Sequence, residues 1–424
     1  MITVISKAAY IVLCSLTVIL LLSCSSQEQS EIQLSRRNDY PIILVHGLIG
    51  WGEDELLGFH YWGGFEDIET YLNRNGHVTY TASVGPVSSN WDRAVELYYY
   101  IKGGTVDYGK AHASKHGHIR YGKTYSGLYP EWDEEHPVHL VGHSMGGLTI
   151  RALNDLLIDG DEAERELVTS NAQKEDLSPL FEGDKQWVHS VTTIGTPHNG
   201  STFADDENRM AEIIKNAVRY IALLAEADDS SSIYDFKLEQ WNISKAEDES
   251  FDDYMNRVLN NPYWSSADIS VGDLNTNGAA YNNAWMDTHS TVYYFSQTGQ
   301  TTTKSSWNDY HLPLRETNPI MLSPAIFIGS FTRNDSAKGI VIDESWWPND
   351  GLVSTISSKH PTGHSARAYE KASSITKGVW YYFPTKMGWD HMDLIGLNAT
   401  TSATVDKTTS FYSSIAELLH SLPK

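Results

Sequence analysis

Cysteine is almost absent from this 424-residue chain, in which only Cys14 and Cys24 occur. Both belong to one N-terminal apolar run, AAYIVLCSLTVILLLSC. If that run is cleaved off during export, no cysteine pair remains to form a disulfide in the mature domain. A disulfide scaffold is therefore excluded, and a metal ion is the alternative clamp for a large domain in an oxidising compartment.

Positive charge is also scarce. The chain has 31 Lys and Arg against 54 Asp and Glu, which gives a formal net charge of −23. No stripe of Lys and Arg offsets this, so nucleic acid is excluded as a partner because its phosphates would be repelled. Hydrophobic residues make up 41% and charged residues 20% of the chain, which is typical of a globular protein.

The N-terminal apolar run predicts export. Lys7 precedes it and a polar stretch follows, so residues 1–24 are predicted to be a signal peptide and residues 25–39 a flexible tether. The sequence LLSC, which ends at Cys24, resembles a bacterial lipobox, whose cysteine becomes lipidated. We predict a secreted or cell-surface protein anchored at Cys24. An ordinary signal peptide and an uncleaved membrane anchor stay open as alternatives.

Strand-like runs alternate with helical patterns from Tyr40 onwards. This alternation favours an α/β domain over residues 40–424, with a mostly parallel central sheet and helices on both faces. Helical spacing occurs at 91–103 and again directly after residue 144. The runs predicted to be strands are PIILV from 41, VHLV from 138, WVHSVTTIG from 187, STVYYFSQTG from 290, PAIFIGS from 324 and GVWYYFP from 378.

Two regions depart from this alternation. Residues of about 91–127 include a stretch rich in Gly, His and Tyr that is predicted to leave the main layers. Residues of about 200–289 form a second departure, predicted to sit on top of the sheet as a cap. Within it, 210–227 has the apolar stripe of an amphipathic helix, which could be a lid or an ordinary helix packed on the sheet.

A candidate nucleophile lies in the sequence HLVGHSMGGL. Gly142 to Gly146 fit the pattern G-x-S-x-G between a strand and a helix, where a sharp turn exposes the hydroxyl of Ser144. A serine hydroxyl needs a base to remove its proton, so a carboxylate and then a histidine should follow along the chain.

The base and the acid are predicted from their positions after strands. His391 follows the last strong strand, GVWYYFP, and Asp350 lies on an Asn-Asp-Gly turn beside two tryptophans. Partial burial there would strengthen the hydrogen bond of the carboxylate to an imidazole. Competing candidates remain, and they are His360 and His364 for the base and Asp343 and Glu344 for the acid.

An oxyanion needs two backbone N–H donors near the serine. One donor is predicted at Met145, directly after the nucleophile, and the other at Leu48, in the VHGLIG loop after the first strand.

Several long strings carry a resemblance to a known family. LVHGLIGWGEDELLGFHYWGG, SVTTIGTPHNGST, YDFKLEQW and NDGLVS resemble the thermoalkalophilic lipases of Geobacillus and Bacillus, which are bacterial true lipases of family I.5, and the related staphylococcal lipases. The resemblance extends from about residue 40 to about residue 420. It implies an α/β-hydrolase fold, a lid, a zinc-bearing insertion and hydrolysis of triacylglycerol esters. Ser144, Asp350 and His391 match its triad. The elbow departs mildly, because Gly142 and Met145 stand where the thermophilic lipases have alanine and glutamine.

The resemblance also implies two metal sites. Its structural zinc ligands match Asp92, His112, His118 and Asp268, a closed set of four N and O ligands. The resemblance also implies a calcium ion, with side-chain ligands from Asp393 and Asn398. Its backbone carbonyl ligands would come from Ala399 and from a residue at or near Glu316. One carboxylate of the family pattern is an amide here, which weakens the calcium prediction.

The sequence therefore predicts a triacylglycerol lipase or carboxylesterase that forms an acyl-enzyme and meets insoluble esters or a lipid surface through its lid and anchor. A polyesterase or short-chain esterase is the alternative within enzymes. A non-catalytic lipid-binding surface protein is the alternative outside them.

Overall fold

A computed structural model describes residues 37–170, 177–206, 209–210, 212–215, 234–246, 248–371 and 374–424. The predicted signal peptide and most of the predicted tether lie outside these residues. So does most of the predicted lid helix, of which residue 210 and residues 212–215 are described and helical. In the described part of the chain, a helix with the length and apolarity needed to cross a bilayer is not found.

The strands are short, and those at the centre of the main sheet are buried. Their bounds are β1 Ile42–Val45, β2 Thr79–Ala82, β3 Gly104–Asp107, β4 Tyr121–Tyr125, β5 Val138–His143, β6 Val188–Ile194, β7 Tyr293–Gln297, β8 Gly299–Gln300, β9 Thr302–Lys304, β10 His311–Pro313, β11 Ala366–Ala368, β12 Trp380–Tyr382 and β13 Lys386–Met387.

The α-helices connect and cover them. Their bounds are α1 Ile68–Arg74, α2 Asn90–Lys102, α3 Lys110–His116, α4 Met145–Asp159, α5 Glu162–Ser170, α6 Pro179–Glu182, α7 Phe251–Leu259, α8 Ser270–Leu274, α9 Thr276–Asn283, α10 Leu322–Ile328, α11 Thr355–Lys359 and α12 Ser402–Ser421.

A seven-stranded sheet forms the centre, in the order β11-β12-β7-β6-β5-β1-β2. Each neighbouring pair in it is parallel. The residues of β1, β5 and β6 are all buried, which explains their continuous apolar runs, since a parallel strand is covered on both faces. The predicted parallel α/β sheet is confirmed.

One predicted strand is wrong. PAIFIGS, from residue 324, belongs to α10 instead. Pro324 cannot donate to a sheet ladder but is tolerated in the first turn of a helix. Ala325 and Ile328 are fully buried while Ile326 is 49% exposed, which is helical spacing in a run too short for its period to be recognised.

The segment after α2 lies outside the main sheet and has regular structure of its own. β3 and β4 form an antiparallel pair, and α3 lies between them. In the predicted cap region, the described residues add short helices and no strand of the central sheet; they are 200–206, 209–210, 212–215, 234–246 and 248–289.

The chain divides into two compact units, of which residues 40–412 form the larger. In the smaller unit, the described residues 37–39 accompany Ser413–Lys424. There the side-chain amide of Asn38 donates to the carbonyls of Leu419 and Leu422 at 2.9 and 3.0 Å. Asn38 thus caps two carbonyl groups, one in the last turn of helix α12 and one just beyond its end.

The turn between β5 and α4 is packed against β1 without spare room. A Cβ atom on Gly146 would overlap the carbonyl oxygen of Val45 and lie 2.6 Å from that of His46. The first turn of α4 can therefore approach β1 this closely only because residue 146 has no side chain.

We expect Gly146→Ala to lower the free energy of unfolding by about 3 kcal/mol, because the backbone of β1 must move to admit the methyl group. Urea denaturation followed by circular dichroism measures this. Gly272→Ala is the matched control near the start of α8, where the nearest atom to the new Cβ lies 3.6 Å away. Equal losses in both variants would contradict the packing argument.

Candidate active site and metal-ligand cluster

Ser144 occupies a strained turn at the carboxyl end of β5. Its φ of 55° and ψ of −128° lie in a region that side-chain-bearing residues rarely adopt. The Ser144 amide donates to the carbonyl of Ile194 on β6 at 2.8 Å. A Cβ on Gly47 would lie 2.7 Å from the Cβ of Ser144, so the loop after β1 passes directly beside the serine.

Asp350 and His391 are joined by two hydrogen bonds. The imidazole Nδ1 lies 2.8 Å from Asp350 Oδ2, and the His391 amide donates to the Asp350 carbonyl at 2.8 Å. Both residues are almost fully buried, at 1% and 2% exposure. The amides of Leu352 and Val353 donate to the other oxygen, Oδ1, and fix the carboxylate in place. Because a carboxylate only accepts, Nδ1 of a neutral ring carries the proton and Nε2 is left as a base.

The competing candidates lie elsewhere. Asp343 and Glu344 are exposed, and Asp343 caps a short 3-10 helix through the Ser345 amide. His364 contacts the hydroxyl of Thr288 at 2.6 Å, and Nδ1 of His360 lies 3.1 Å from the carbonyl of Pro361. The geometry thus pairs Asp350 with His391, and the four competing candidates make no contact with this pair in the hydrogen bonds described above.

A chain of hydrogen bonds joins the β1 loop, the Ser144 turn and the His391 loop. Burial lowers the pKa of His143 well below its ordinary value, and the nearby imidazole of His391 lowers it further, so the His143 ring is neutral. His143 Nε2 lies 3.1 Å from the His391 carbonyl, which can only accept, so Nε2 carries the proton. His143 Nδ1 therefore accepts from the Tyr61 hydroxyl at 2.7 Å, and that hydroxyl accepts from the Gly47 amide at 2.9 Å.

The same series of hydrogen bonds places His391 beside the serine turn. The rings of His143 and His391 lie 4.6 Å apart, and His143 is the residue directly before Ser144. Sequence reasoning missed both Tyr61 and His143, because their contacts join residues 82 and 248 positions apart.

Of the two predicted oxyanion donors, Met145 directly follows Ser144, and Leu48 directly follows Gly47 in the loop that passes beside the serine. Among the described residues, no acceptor is found for the amide of Leu48 or of Met145. The loop carrying Leu48 is held by Arg93, whose guanidinium donates to the carbonyls of His46 and Gly85 at 2.5 and 2.7 Å. Burial lowers the pKa of Arg93 to about 10, so it stays charged at neutral pH. Sequence reasoning did not single out Arg93, although it directly follows Asp92.

The four residues implied for zinc converge. His112 Nε2 lies 3.2 Å from Asp92 Oδ1 and 3.2 Å from Asp268 Oδ2. His118 Nε2 lies 3.3 Å from Asp268 Oδ2 and 4.0 Å from Asp92 Oδ1. Ligands of a tetrahedral zinc, at bond lengths of about 2.0–2.1 Å, are about 3.3 Å apart.

The donor set fits a cation. Asp92 Oδ1 and His118 Nε2 are buried and have no hydrogen-bond partner among the residues that the structure describes. The Nδ1 of His118 lies 2.9 Å from the carbonyl of Ile119, which fixes the proton there and turns the Nε2 lone pair towards the carboxylates. Trp91 stacks on His112 at 4.9 Å and shields one side of the cluster.

Comparisons with known proteins agree on one family. The family model described as "Lipase-like, C-terminal domain" matches residues 38–422. This chain belongs to that lipase-like family. It is 40% identical over 394 residues to a lipase of Staphylococcus epidermidis, a match that covers 92% of this chain and 55% of that protein. The chain thus spans about half the length of the curated relatives that it matches.

Solved structures agree with the lipase-like assignment. EstA from Clostridium botulinum is 43% identical, with a TM-score of 0.83, and the match covers 91% of this chain and 88% of that one. Lipase 1 from Pelosinus fermentans is 45% identical, with a TM-score of 0.78, and the match covers 91% and 100%. Staphylococcus hyicus lipase is 38% identical, with a TM-score of 0.78 and coverage of 91% and 96%. The α/β-hydrolase fold follows from these likenesses.

The residues implied for calcium in this lipase-like chain lie beside His391. Asp393 and Asn398 are in contact, and Ala399 follows, its amide bound to the Gly396 carbonyl. Glu316 lies two residues before Asn318, whose amide donates to Asp390 Oδ2 at 2.8 Å. Asp390, which sequence reasoning missed, thereby joins the cluster.

This cluster does not fit a calcium ion. Asn398 presents its NH₂ group to the carboxylates, at 3.0 Å from Asp393 Oδ1 and 3.2 Å from Asp390 Oδ1. Calcium needs six to eight oxygen ligands directed at one point, and here an N–H donor points into the space between the two aspartates.

Replacing Tyr61 tests the hydrogen-bond chain. We expect Tyr61→Phe to lower the free energy of unfolding by about 2 kcal/mol, because the Gly47 amide and His143 Nδ1 both lose their partner in a buried site. Chemical denaturation measures the loss. The control is Tyr281→Phe at a position that is 68% exposed, where we expect little change. A Tyr61→Phe variant as stable as the control would show that these hydrogen bonds contribute nothing to the stability of the fold.

Proposed function

We propose that this chain is a carboxylic ester hydrolase of the lipase type that works through a serine acyl-enzyme. The observation that carries the proposal is the buried Asp350–His391 pair held beside the strained Ser144 turn. The lipase-like family and the structurally similar lipases support the same chemistry.

In the proposed reaction the Ser144 hydroxyl attacks the carbonyl carbon of the ester and His391 Nε2 takes its proton. The Leu48 and Met145 amides receive the negative charge that develops on the carbonyl oxygen. The tetrahedral intermediate then collapses to the acyl-enzyme, and the leaving alcohol oxygen receives the proton held by His391 Nε2. Water attacks the acyl-enzyme by the same route and releases the acid, while Asp350 orients and stabilises the charged imidazole.

The substrate class is part of the proposal. Insoluble triacylglycerols are supported by the lipases among the relatives, and the lid predicted at 210–227 would cover the serine in water. A soluble short-chain ester or a polyester would use the same machinery. Turnover on emulsified long-chain triacylglycerol, compared with turnover on a soluble short-chain ester, separates these substrates.

We propose the location from the sequence alone: secreted or at the cell surface, with lipid anchoring at Cys24. The closer kinship with the thermoalkalophilic lipases of Geobacillus and Bacillus is likewise proposed. It is supported by the convergence of the four implied zinc ligands.

We expect Ser144→Ala and Asp350→Asn each to lower kcat on a soluble p-nitrophenyl ester by roughly 10⁴-fold or more, since each removes one member of the triad. The matched control is Asp343→Asn, which changes the exposed competitor and should keep full turnover. In parallel, a serine-directed phosphonate should label the wild-type chain but not Ser144→Ala, as read by mass spectrometry.

Three results would contradict this mechanism: wild-type turnover in Ser144→Ala, labelling at another residue, or loss of turnover in Asp343→Asn equal to that in Asp350→Asn. A wild-type chain that neither hydrolyses esters nor reacts with the phosphonate would instead favour the non-catalytic lipid-binding alternative.

We further propose that Asp92, His112, His118 and Asp268 hold a structural zinc ion. When bound, zinc supplies a closed four-ligand cross-link and no chemistry of its own. Asp92 lies on α2, the two histidines lie on and after α3, and Asp268 lies before α8. These residues therefore fasten the β3–β4 excursion to two distant parts of the chain, in a domain that has no disulfide to do so.

Elemental analysis of the purified chain should give about one zinc per molecule. We expect Asp268→Asn to lose it and to lower Tm by roughly 5 °C, which is the effect of removing a ligand present at about a thousandfold its Kd from a domain of this size. His116→Ala is the control, since His116 lies between the two histidines but outside the cluster of four. Full zinc content in Asp268→Asn, or loss of zinc in His116→Ala, would contradict this assignment.

A further inference from the structure

The loop that carries His391 is pinned by two aspartates whose oxygens are occupied by N–H donors of the chain itself. Asp390 Oδ1 accepts from the Met392 and Asp393 amides, both at 2.9 Å, and Oδ2 accepts from the Asn318 amide at 2.8 Å. Asp393 Oδ2 in turn accepts from the Asp390 amide at 3.0 Å. Asp390 is fully buried and directly precedes His391.

The side-chain amide of Asn398 lies between these aspartates. Its Nδ2 donates to Asp393 Oδ1 at 3.0 Å and to Asp390 Oδ1 at 3.2 Å. A neutral NH₂ group with a partial positive charge thus stands where two carboxylates converge. A cation shared by the two aspartates would have to occupy the same space.

The orientation of the Asn398 amide is set by its neighbours. The Ile320 amide donates to Asn318 Oδ1 at 3.1 Å, which turns the Asn318 NH₂ group away from Ile320. That NH₂ group donates to Asn398 Oδ1 at 2.8 Å, so Asn398 must turn its own NH₂ group towards the aspartates. If Asn398 were reversed to offer its oxygen to a cation, its NH₂ group would face that of Asn318, and its hydrogen bonds with Asn318 and with the two aspartates would be lost.

We propose that the Asn398 amide replaces a calcium ion in fixing the His391 loop, so that this chain is stable without calcium, and that one substitution, Asn398→Asp, converts the position into a calcium site. An aspartate there would bring a third carboxylate to the pair. Three converging carboxylates repel one another until a divalent cation binds between them.

The test is thermal unfolding of the full chain, first treated with EGTA and then measured with and without calcium chloride at about 10 mM, well above the Kd of weak extracellular sites. Wild-type Tm should be the same in both conditions. Asn398→Asp should have a lower Tm than wild type in EGTA and should gain at least about 2–4 °C on addition of calcium. Asn334→Asp, which adds the same charge at an exposed position, should give no calcium response.

Two results would overturn the proposal. The first is a calcium-dependent rise in wild-type Tm that Asp393→Ala abolishes, since calcium would then bind where the amide lies. The second is an Asn398→Asp variant that folds but gains nothing from calcium. The wild-type measurement keeps the proposal testable even if Asn398→Asp fails to fold. Because the readout is Tm, its failure is separate from failure of the proposed ester hydrolysis.

Discussion

The backbone of Ser144, held at positive φ, is the constraint on which the candidate site depends. This conformation turns the chain from β5 directly into α4, and the close packing around the turn leaves no room for a side chain two residues before or after the serine, at Gly142 and Gly146. The same lack of side chains at Gly47 and Gly146 brings the β1 loop against the serine and the first turn of α4 against β1. The Leu48 and Met145 amides lie on these two segments, so the same close packing sets the positions of both predicted oxyanion donors.

A second layer of polar contacts holds the loops around this turn. Tyr61 and His143 form a series of hydrogen bonds that runs from the Gly47 amide to the His391 carbonyl. The amide can only donate and the carbonyl can only accept, so these two groups fix the position of each proton between them. Arg93 anchors the β1 loop through the carbonyl oxygen of His46. Asn318 and Asn398 hold the His391 loop through Asp390 and Asp393. The loops that carry reactive groups are therefore fixed by buried and part-buried hydrogen bonds rather than by cross-links.

The sequence predicted the parts of this site that obey local rules. A buried strand, a G-x-S-x-G turn and a helix identify Ser144, and the chain order of nucleophile, acid and base leads to Asp350 and His391. The contributions of Tyr61, His143, Arg93 and Asp390 were missed, because they depend on contacts between residues far apart in the chain. PAIFIGS was misassigned as a strand because a short apolar run fits either period. The zinc quartet needed a family resemblance, since its four residues have no compact spacing.

A crystal structure of the chain after reaction with a serine-directed phosphonate tests the central claim most directly. The account predicts a covalent bond from phosphorus to the Ser144 Oγ. The phosphoryl oxygen should lie about 2.7–3.1 Å from the amides of Leu48 and Met145, with the His391 ring beside the adduct. An adduct whose phosphoryl oxygen points away from both amides, or whose His391 ring lies out of reach of Ser144, would contradict it.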